Sequence, residues 1–570
     1  MTRNTITGDI IIVIRSISFD YSLIAYTMKR IFPLILFVTI SILGNAQSWQ
    51  DTVVLIEKIF DRYKPANPGC QLTISRNGQI IYSHAWGMAD MEHNIPLTTE
   101  SVIEAGSVSK QFTAAAILLL EQQGKLSLND DVRKYVPEIP DYGTPVILRH
   151  MMQHTSGLKD WGSIAAVAGW PRSTKTYNND DALYIISKQT TLNNKPGDEY
   201  IYSNSNYNLF AIITERVSGM SLAEFTRIHI FEPAGMKHTE WRNDFKKIVP
   251  NRAIAYERRN DNYFTDMPNE YVYGNGGLLT TTEDLIAWNN YYLNNKLGNP
   301  SLLSRQLSTT ALNNGIMNPY GAGLRIDSVR GWKSISHNGA TASYRASLQH
   351  YPDLALSIAW LSNSSAFDGS IDATNRVRDL FVKDKSVLQS RDTSTAIIIP
   401  IEKLQEYVGW YRDTRNETGV KLFVKDGKLN NSRGGNLVPL KENIFSLGRN
   451  RVEVIQVKKE KQLHLISPFE TIVFYAVDSA IVGEQAMKEY TGEYYSEEAE
   501  SKLTISFKDG KLMAHRDPKT DYPLTPTYKD GFDIPAGSVY FERDKKKRVA
   551  ALKIYVGRAR NIVFTKKSSR

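Results

Sequence analysis

The sequence predicts an α+β fold of the α/β-sandwich type for residues 51–385, followed by an all-β module at residues 400–570. Two observations predict this division. Strand signals at both ends of the first region enclose helix signals, which is typical of a central antiparallel sheet flanked by helices, with a mostly helical subdomain. The second region alternates apolar and polar residues around Asp-Gly turns. A length of 570 residues, with 42% hydrophobic and 23% charged side chains, suits two or more globular domains.

The first region begins with an amphipathic helix at residues 52–62 and continues into a hairpin. Cys70–Ser75 and Gln79–His84 are predicted strands, because Asn77-Gly78 between them is a tight-turn sequence. Periodicity and turn residues predict further helices at 111–123, 148–153, 206–218 and 372–382, and a second hairpin from 343–350 and 354–361.

The amino terminus carries the features of a secretory signal peptide at residues 28–46. Met28 is followed by Lys-Arg, a short apolar run and a small-x-small end, which predicts cleavage near Ala46. The apolar run is short for a membrane anchor, the alternative interpretation. We expect translation to start at Met28, residues 1–27 to be a non-structural upstream extension, and the mature protein to be periplasmic or secreted. The single cysteine, Cys70, is compatible with an oxidising compartment.

The carboxy-terminal region contains an internal repeat. Tyr407-Val-Gly-Trp-Tyr411 recurs as Tyr490-Thr-Gly-Glu-Tyr494, and Lys425-Asp-Gly-Lys-Leu429 recurs as Lys508-Asp-Gly-Lys-Leu512, both at an offset of 83 residues. Two copies are too few for a solenoid. The sequence therefore predicts one or two small β-barrel or meander modules, with repeats at about 404–478 and 487–567 after a linker at 386–399.

This carboxy-terminal region also carries most of the net charge. Residues 401–570 contain 31 Lys+Arg and 23 Asp+Glu, so 31 − 23 = +8 of the formal +9 lies there. A weak contact with an anionic envelope surface is one interpretation, and an ordinary solvated surface is the other. No phosphate-cradling glycine loop or nucleic-acid motif accompanies the charge, so no nucleic-acid partner is predicted.

Ser107-Val-Ser-Lys110 is the first candidate catalytic pattern. It lies where a strand gives way to an apolar helix, so the lysine is one helical turn from the serine and on the same face. A lysine in that position can hold or remove the serine proton and so activate the hydroxyl as a nucleophile.

Two later segments supply groups that such a nucleophile needs. In Tyr202-Ser-Asn204, a tyrosine hydroxyl beside a lysine ammonium would ionise more easily and act as a general base, and Asn204 offers an amide to a substrate carbonyl. In His337-Asn-Gly339, the glycine permits close approach to a strand edge. The backbone amides of Ala340 and Ser107 are the candidate oxyanion donors.

Together these segments resemble the serine β-lactamase-like family of class C type, which includes penicillin-binding proteins, DD-peptidases, D-aminopeptidases and esterases. The resemblance covers roughly residues 55–382. The segments that carry it, in the order of the family, are Glu104-Ala-Gly-Ser-Val-Ser-Lys-Gln-Phe-Thr113, His154-Thr-Ser-Gly-Leu158, Tyr202-Ser-Asn204 with Ser205-Asn-Tyr207, Phe231-Glu-Pro-Ala-Gly-Met236, Gly276-Gly-Leu-Leu279 and His337-Asn-Gly339.

The resemblance implies a role for each matching residue. Ser107 would be the acylated nucleophile, Lys110 its activator, Tyr202 the general base and Asn204 a donor to the substrate. His337 would line the pocket at the third motif and steer an anionic group. It further implies a hydrolase that works through an acyl-enzyme without a metal or organic cofactor.

One departure from the family pattern bears on the substrate. β-Lactamases and many penicillin-binding enzymes have Lys-Thr-Gly at the third motif, whereas this chain has His337. A histidine is only partly charged near neutral pH, which favours a peptidase or esterase acting on an amide or ester, such as a D-amino-acid peptide or cell-wall fragment. A β-lactamase or DD-peptidase, and a non-enzymatic penicillin-binding-like sensor, remain the alternatives.

Other hydrolase signatures are weak or missing. His150 and His154 have metal-ligand spacing on a predicted helix, but the intervening residues lack the glutamate of a zinc peptidase, so packing roles are expected. The chain has no Gly-x-Ser-x-Gly elbow, which argues against an α/β-hydrolase.

Overall fold

The computed structural model describes residues 49–294, 297, 301–367, 372–385, 397–467, 470–518 and 520–567. The predicted upstream extension, the signal peptide and most of the predicted linker lie outside these residues. The chain divides into two units between Asp61 and Arg62, and residues 49–61 are the described part of the first. In the first unit, residues 49–60 form helix α1, where a helix at 52–62 was predicted. No helix in the described part of the chain has the length and hydropathy to cross a membrane.

In the second unit, short strands and helices alternate up to Phe381. The strands are β1 (Cys70–Arg76), β2 (Gln79–Trp86), β3 (Met88–Asp90), β4 (Ile95–Pro96), β5 (Ile103–Glu104), β6 (Glu240–Trp241), β7 (Tyr256–Arg259), β8 (Asn262–Thr265), β9 (Leu278–Thr280), β10 (Arg325–Val329), β11 (Trp332–Thr341), β12 (Tyr344–Tyr351) and β13 (Leu356–Ser362). The helices are α2 (Lys110–Gln122), α3 (Leu148–Met152), α4 (Trp161–Val167), α5 (Asn179–Ser187), α6 (Asn204–Ser218), α7 (Leu222–Thr226), α8 (Glu232–Ala234), α9 (Thr282–Leu293), α10 (Ser301–Gln306) and α11 (Asp372–Phe381).

The main sheet has six antiparallel strands in the order β10-β11-β12-β13-β1-β2. Strand β1 pairs with β13 in a register that sets Cys70 opposite Ser362, so the two ends of this region meet in one sheet. The predicted antiparallel sheet of distant segments is therefore confirmed. The tight turn after β1 is also as predicted, because Asn77 and Gly78 both have positive φ.

The helical signals are confirmed with two local corrections. Helix α3 ends at Met152 and His154 has a positive φ of 57°, so the expectation that His150 and His154 share a helix is wrong. Helix α2 starts at Lys110, and Ser107 precedes it in a 3₁₀ turn, Gly106–Ser109. In a 3₁₀ turn residues i and i+3 are eclipsed, so this tighter geometry still brings Ser107 and Lys110 together.

The carboxy-terminal region forms two closed eight-stranded barrels, which confirms the predicted β module with two repeats. The first contains α12 (Ile401–Gln405), β14 (Gly409–Asp413), β15 (Thr418–Lys425), β16 (Lys428–Asn431), β17 (Asn436–Lys441), β18 (Ile444–Leu447), β19 (Asn450–Val457), β20 (Glu460–Ile466) and β21 (Thr471–Val477). The second contains α13 (Glu484–Lys488), β22 (Gly492–Ser496), β23 (Ser501–Lys508), β24 (Lys511–Arg516), β25 (Thr520–Pro526), β26 (Gly531–Ile534), β27 (Gly537–Arg543), β28 (Val549–Val556) and β29 (Ala559–Lys566).

Apolar burial explains how the second barrel meets the helical subdomain. Ile164 and Val167 of α4 belong to the same buried apolar cluster as the interior of the second barrel. A buried ion pair, Lys159 Nζ to Glu498 Oε2 at 2.8 Å, crosses the same contact. The second barrel is therefore docked on α4 and on Lys159, which precedes it.

Candidate active site

Ser107 is held against the edge of β11 by two glycines. A side chain at Gly106 would place its Cβ 2.6 Å from the Ala340 backbone nitrogen, and one at Gly339 would place its Cβ 2.0 Å from the Ala105 carbonyl oxygen. Both contacts are shorter than real Cβ atoms permit, so only glycine allows this approach. The approach brings the Ser107 and Ala340 amides to the same junction, as a pair of oxyanion donors requires.

The Lys110 ammonium is buried beside Ser107. Its Nζ donates to Ser107 Oγ at 3.1 Å, to Asn204 Oδ1 at 3.0 Å and to the Asn275 carbonyl oxygen at 2.5 Å. Burial lowers the pKa of Lys110 well below its ordinary value, and the positive charges of Arg558 and Arg172 lower it further. A neutral amine, which can accept the Ser107 proton, is therefore accessible at lower pH than for an exposed lysine.

Tyr202 lies next to both groups. Its hydroxyl hydrogen-bonds to Ser107, and its ring centroid is 4.8 Å from Lys110 Nζ. Burial nevertheless raises the pKa of Tyr202 above its ordinary value, and the bond to Ser107 opposes this only in part. The expectation that Lys110 eases ionisation of Tyr202 is wrong, because desolvation of the phenolate outweighs the favourable contacts. Burial thus favours the neutral form of both groups, so the Lys110 amine can accept a proton and the Tyr202 hydroxyl can donate one.

Asn204 is the first residue of α6, and its backbone amide donates to Asp160 Oδ2 at 2.8 Å. Its side chain lines the catalytic cavity while its Oδ1 accepts the bond from Lys110. Asn275, which was not singled out from the sequence, also accepts a hydrogen bond from Lys110, through its backbone oxygen. It stands between Gly274 and Gly277, whose positive φ angles turn that carbonyl towards Lys110. The run Gly-Asn-Gly-Gly is the signal that could have identified it.

His337 on β11 is buried and fully hydrogen-bonded. Its Nδ1 is 2.7 Å from the Asn338 carbonyl oxygen, and its Nε2 is 2.8 Å from the Tyr320 hydroxyl. Burial, helped by the nearby Lys110 charge, lowers the pKa of His337 to about 3. His337 lines the catalytic cavity as expected, but a ring with so low a pKa carries little positive charge with which to steer an anionic group.

The side chain of His154 packs against the ring of Tyr202. Its ring centroid is 4.2 Å from that of Tyr202, and its Nδ1 accepts the Ser203 backbone N–H at 3.1 Å. Burial holds the pKa of His154 well below its ordinary value. The predicted packing role thus matches its contacts, and the residue supports the Tyr202 segment.

Ser107 opens into a cavity of about 560 Å³ with a strongly cationic lining. Arg172, Arg325, Arg345 and Arg558 all line it, and no Asp or Glu is among its lining residues within the described ranges. Arg172 is paired with the carboxylate of Glu270. Arg325 and Arg558, by contrast, have no carboxylate partner among the described residues. The positive charge that His337 lacks is thus supplied by arginines.

Arg558 comes from the second barrel, at the turn between β28 and β29. Its guanidinium carbon lies 4.8 Å from the centroid of the Tyr202 ring, within cation–π range. The turn is fixed because the Arg558 carbonyl oxygen accepts bonds from the Asp160 backbone at 3.1 Å and from Asn193 Nδ2 at 3.1 Å. Sequence reasoning missed this residue, since no local pattern links it to the motifs around Ser107.

Known proteins are similar to this chain over the catalytic region and over most of its length. The family model described as Beta-lactamase matches residues 56–382. Penicillin-binding protein 4* of Bacillus subtilis (strain 168) is 31% identical over 305 residues, which span 51% of this chain and 66%, just under two thirds, of that protein. A D-aminopeptidase of Brucella anthropi is 25% identical over 529 residues, covering 89% of this chain and 97% of that protein.

Among solved structures, one titled "Crystal structure of SurE" covers 92% of this chain and all of its own, with a TM-score of 0.52 and 17% identity. That likeness supports the overall fold, including the carboxy-terminal region.

Proposed function

The chain belongs to the beta-lactamase family of serine hydrolases, and we propose that it is an exported enzyme that cleaves an amide or ester through an acyl-enzyme. The observation that carries the proposal is the contact of a buried lysine with a serine hydroxyl, Lys110 Nζ to Ser107 Oγ at 3.1 Å. A buried amine of lowered pKa next to a hydroxyl is the arrangement that activates a serine. The proposed chemistry uses no metal or organic cofactor.

In the proposed reaction, Ser107 Oγ attacks the substrate carbonyl while its proton passes to Lys110. The Ser107 and Ala340 amides stabilise the oxyanion, and donors of this kind contribute about 10²- to 10³-fold each to the rate. The proton then reaches the leaving group through the Tyr202 hydroxyl, so the bond to the leaving group breaks as that group is protonated. Water, activated by the same pair, releases the acyl group and restores Ser107.

We propose a substrate with an anionic group, such as a D-amino-acid peptide or cell-wall fragment that keeps a free carboxylate. Arg325 and Arg558 line the cavity without a carboxylate partner in the described part of the chain. A cavity of that charge attracts a carboxylate and disfavours the free ammonium group of an aminopeptidase substrate. The same charge supports a second candidate, a DD-peptidase or β-lactamase, since both classes act on substrates that carry a carboxylate.

Export and surface contact are also proposals. The signal-peptide pattern at residues 28–46 supports a periplasmic or secreted enzyme, and sequencing the amino terminus of the mature protein tests it. Retention of residues 1–27 would contradict it. The excess of basic residues in the barrels supports at most a weak contact with an anionic envelope surface.

The first experiment is covalent labelling with a fluorophosphonate and with a fluorescent penicillin. We expect the wild type to be labelled and Ser107→Ala to remain unlabelled. Ser336→Ala is the matched control, because Ser336 lines the same cavity and should leave labelling intact. Labelling of Ser107→Ala would overturn the assignment of the nucleophile.

A substrate panel then separates the candidate functions. N-acylated D-alanyl peptides with a free carboxylate should be turned over faster than D-alanine p-nitroanilide, which carries a free amine. Nitrocefin turnover as fast as peptide turnover would favour the β-lactamase. Labelling without turnover of any amide or ester would favour a non-enzymatic sensor.

A further inference from the structure

A second cavity, of about 680 Å³, lies beside the catalytic one and has a different chemistry. It is bounded on one side by α4 and the segment after it, and on the other by the second barrel. Its walls are mainly apolar and include Val167, Pro171, Ile534, Pro535, Ile554 and Val556. We call this space the apolar cleft.

The apolar cleft adjoins the cavity of Ser107. Arg558 lines both spaces, so its side chain forms part of the boundary between them. A third cavity, of about 420 Å³, shares Ala340 and Arg345 with the catalytic cavity and Ala166 with the apolar cleft. The apolar cleft and the third cavity therefore both adjoin α4, and Arg558 lies between the polar catalytic cavity and the apolar cleft.

The walls of the apolar cleft are held together by direct bonds. Arg516 Nη1 of the second barrel donates to the carbonyl oxygens of Ala166 at 2.5 Å and Val167 at 3.1 Å. Val167 itself is buried with the interior of the barrel. A space whose two sides are cross-linked in this way is preformed, as ligand sites usually are.

We propose that the apolar cleft binds an apolar arm of the substrate, so that the enzyme prefers amphipathic amides or esters with an anionic group near Arg558 and a hydrocarbon or aromatic arm. The inference rests on the proposed hydrolase function and adds the substrate class. Because the apolar cleft shares Arg558 with the cavity of Ser107, we take its occupant to be part of the substrate. Each methylene group that is fully buried against an apolar wall strengthens binding by about three- to fourfold.

The test is a chain-length series on the full-length protein, below the micellar concentration of each compound. One series is p-nitrophenyl esters of straight-chain acids from two to ten carbons, which places the arm on the acyl group. The other is S-alkyl thioacetates, which places it on the leaving group. We expect kcat/KM to rise at least tenfold from the shortest to an intermediate length in one series.

Filling the apolar cleft should remove that rise. Ala536 lines the cleft at an exposed turn between β26 and β27, so Ala536→Trp should fold and should reduce kcat/KM for the long substrate to that for the short one. Turnover of the two-carbon ester should not change. Arg449→Trp, in the corresponding exposed turn of the first barrel, is the matched control and should keep the full chain-length effect.

The outcomes separate this inference from the proposed function. Turnover of short esters with no chain-length effect in either series would overturn the proposed role of the apolar cleft in substrate binding. It would leave the proposed hydrolase function intact. A chain-length effect that survives Ala536→Trp would also overturn the role of the apolar cleft. Absence of turnover and of labelling at Ser107 would instead overturn the proposed function on which it rests.

Discussion

The two carboxy-terminal barrels have the same architecture but different relations to the active site. In each, a buried tyrosine hydroxyl donates to the carbonyl oxygen four residues earlier at 2.7 Å, Tyr411 to Tyr407 and Tyr494 to Tyr490. These pairs stand at the 83-residue offset of the repeat. The repeated sequence thus specifies the strands, the closure and this hydrogen bond twice.

The difference lies in what surrounds each barrel. The second barrel docks on the helical subdomain through the ion pair between Lys159 and Glu498, and it places the guanidinium of Arg558 against the ring of Tyr202. The first barrel reaches the same subdomain through a half-exposed contact, Arg415 to Glu199 at 3.2 Å. It also has a cavity of about 240 Å³ that is lined by its own residues. Repeated residues therefore determine the barrel, whereas unrepeated turn and surface residues determine which copy serves the catalytic cavity.

The largest expected effect concerns docking. Glu498→Ala leaves the fully buried Lys159 without its partner, and loss of one partner of a buried pair costs about 3–5 kcal/mol of unfolding free energy. Urea denaturation measures the loss. The control is Asp533→Ala, which breaks the half-exposed pair with Arg433 between the two barrels and should cost about 0–1 kcal/mol. Equal losses would mean that burial does not distinguish the two contacts.

The next effect concerns catalysis. Arg558→Ala should lower kcat/KM for a carboxylate-bearing substrate by about 10- to 100-fold, since a direct charge-assisted contact contributes about 1.5–3 kcal/mol. Glu470→Ala, at the corresponding turn between β20 and β21 of the first barrel, should leave the kinetics unchanged. An unchanged kcat/KM in Arg558→Ala would remove Arg558 from the binding of the substrate carboxylate.

A smaller loss of unfolding free energy, equal in the two barrels, is expected from removing this hydrogen bond. Tyr411→Phe and Tyr494→Phe each remove one buried hydrogen bond, and each should lower the unfolding free energy by about 0.5–1.5 kcal/mol. Urea denaturation of the two variants gives the comparison. Losses that differ by more than about 1 kcal/mol would contradict structural equivalence of the repeats.

The smallest effect concerns pH. Because the Arg558 charge adds to burial in lowering the pKa of Lys110, Arg558→Ala should raise that pKa. The acid limb of the kcat/KM–pH profile, where Lys110 must lose its proton, should then move to higher pH, and the shift should be small because burial is the larger cause. Glu470→Ala should leave the limb in place, and a shift to lower pH in Arg558→Ala would contradict the role of Lys110 as base.

The sequence predicted what depends on local pattern and order. The 83-residue offset was enough to identify two β modules, and the order of the segments at Ser107, Tyr202 and His337 was enough to place them at one site. The ionisation of Tyr202 was predicted wrongly because burial is a property of the packed chain. Asn275 and Arg558 were missed because their contacts to Lys110 and Tyr202 join segments that are far apart in sequence.

The pairing of β1 with β13 has a consequence for the time course of biosynthesis. Gly69 is bonded to Asn363, 294 residues later, and β1 lies inside the sheet with β2 on its other side. Until the chain has been synthesised past β13, the β1–β2 hairpin has an open edge that can pair with other chains. The turn that carries Ser107 likewise cannot pack in place until β11 has been synthesised. We therefore expect the nascent chain to be inactive and prone to aggregation until β13 has been synthesised. Its folding should be slow and should require that the open edge of the β1–β2 hairpin be covered in the meantime.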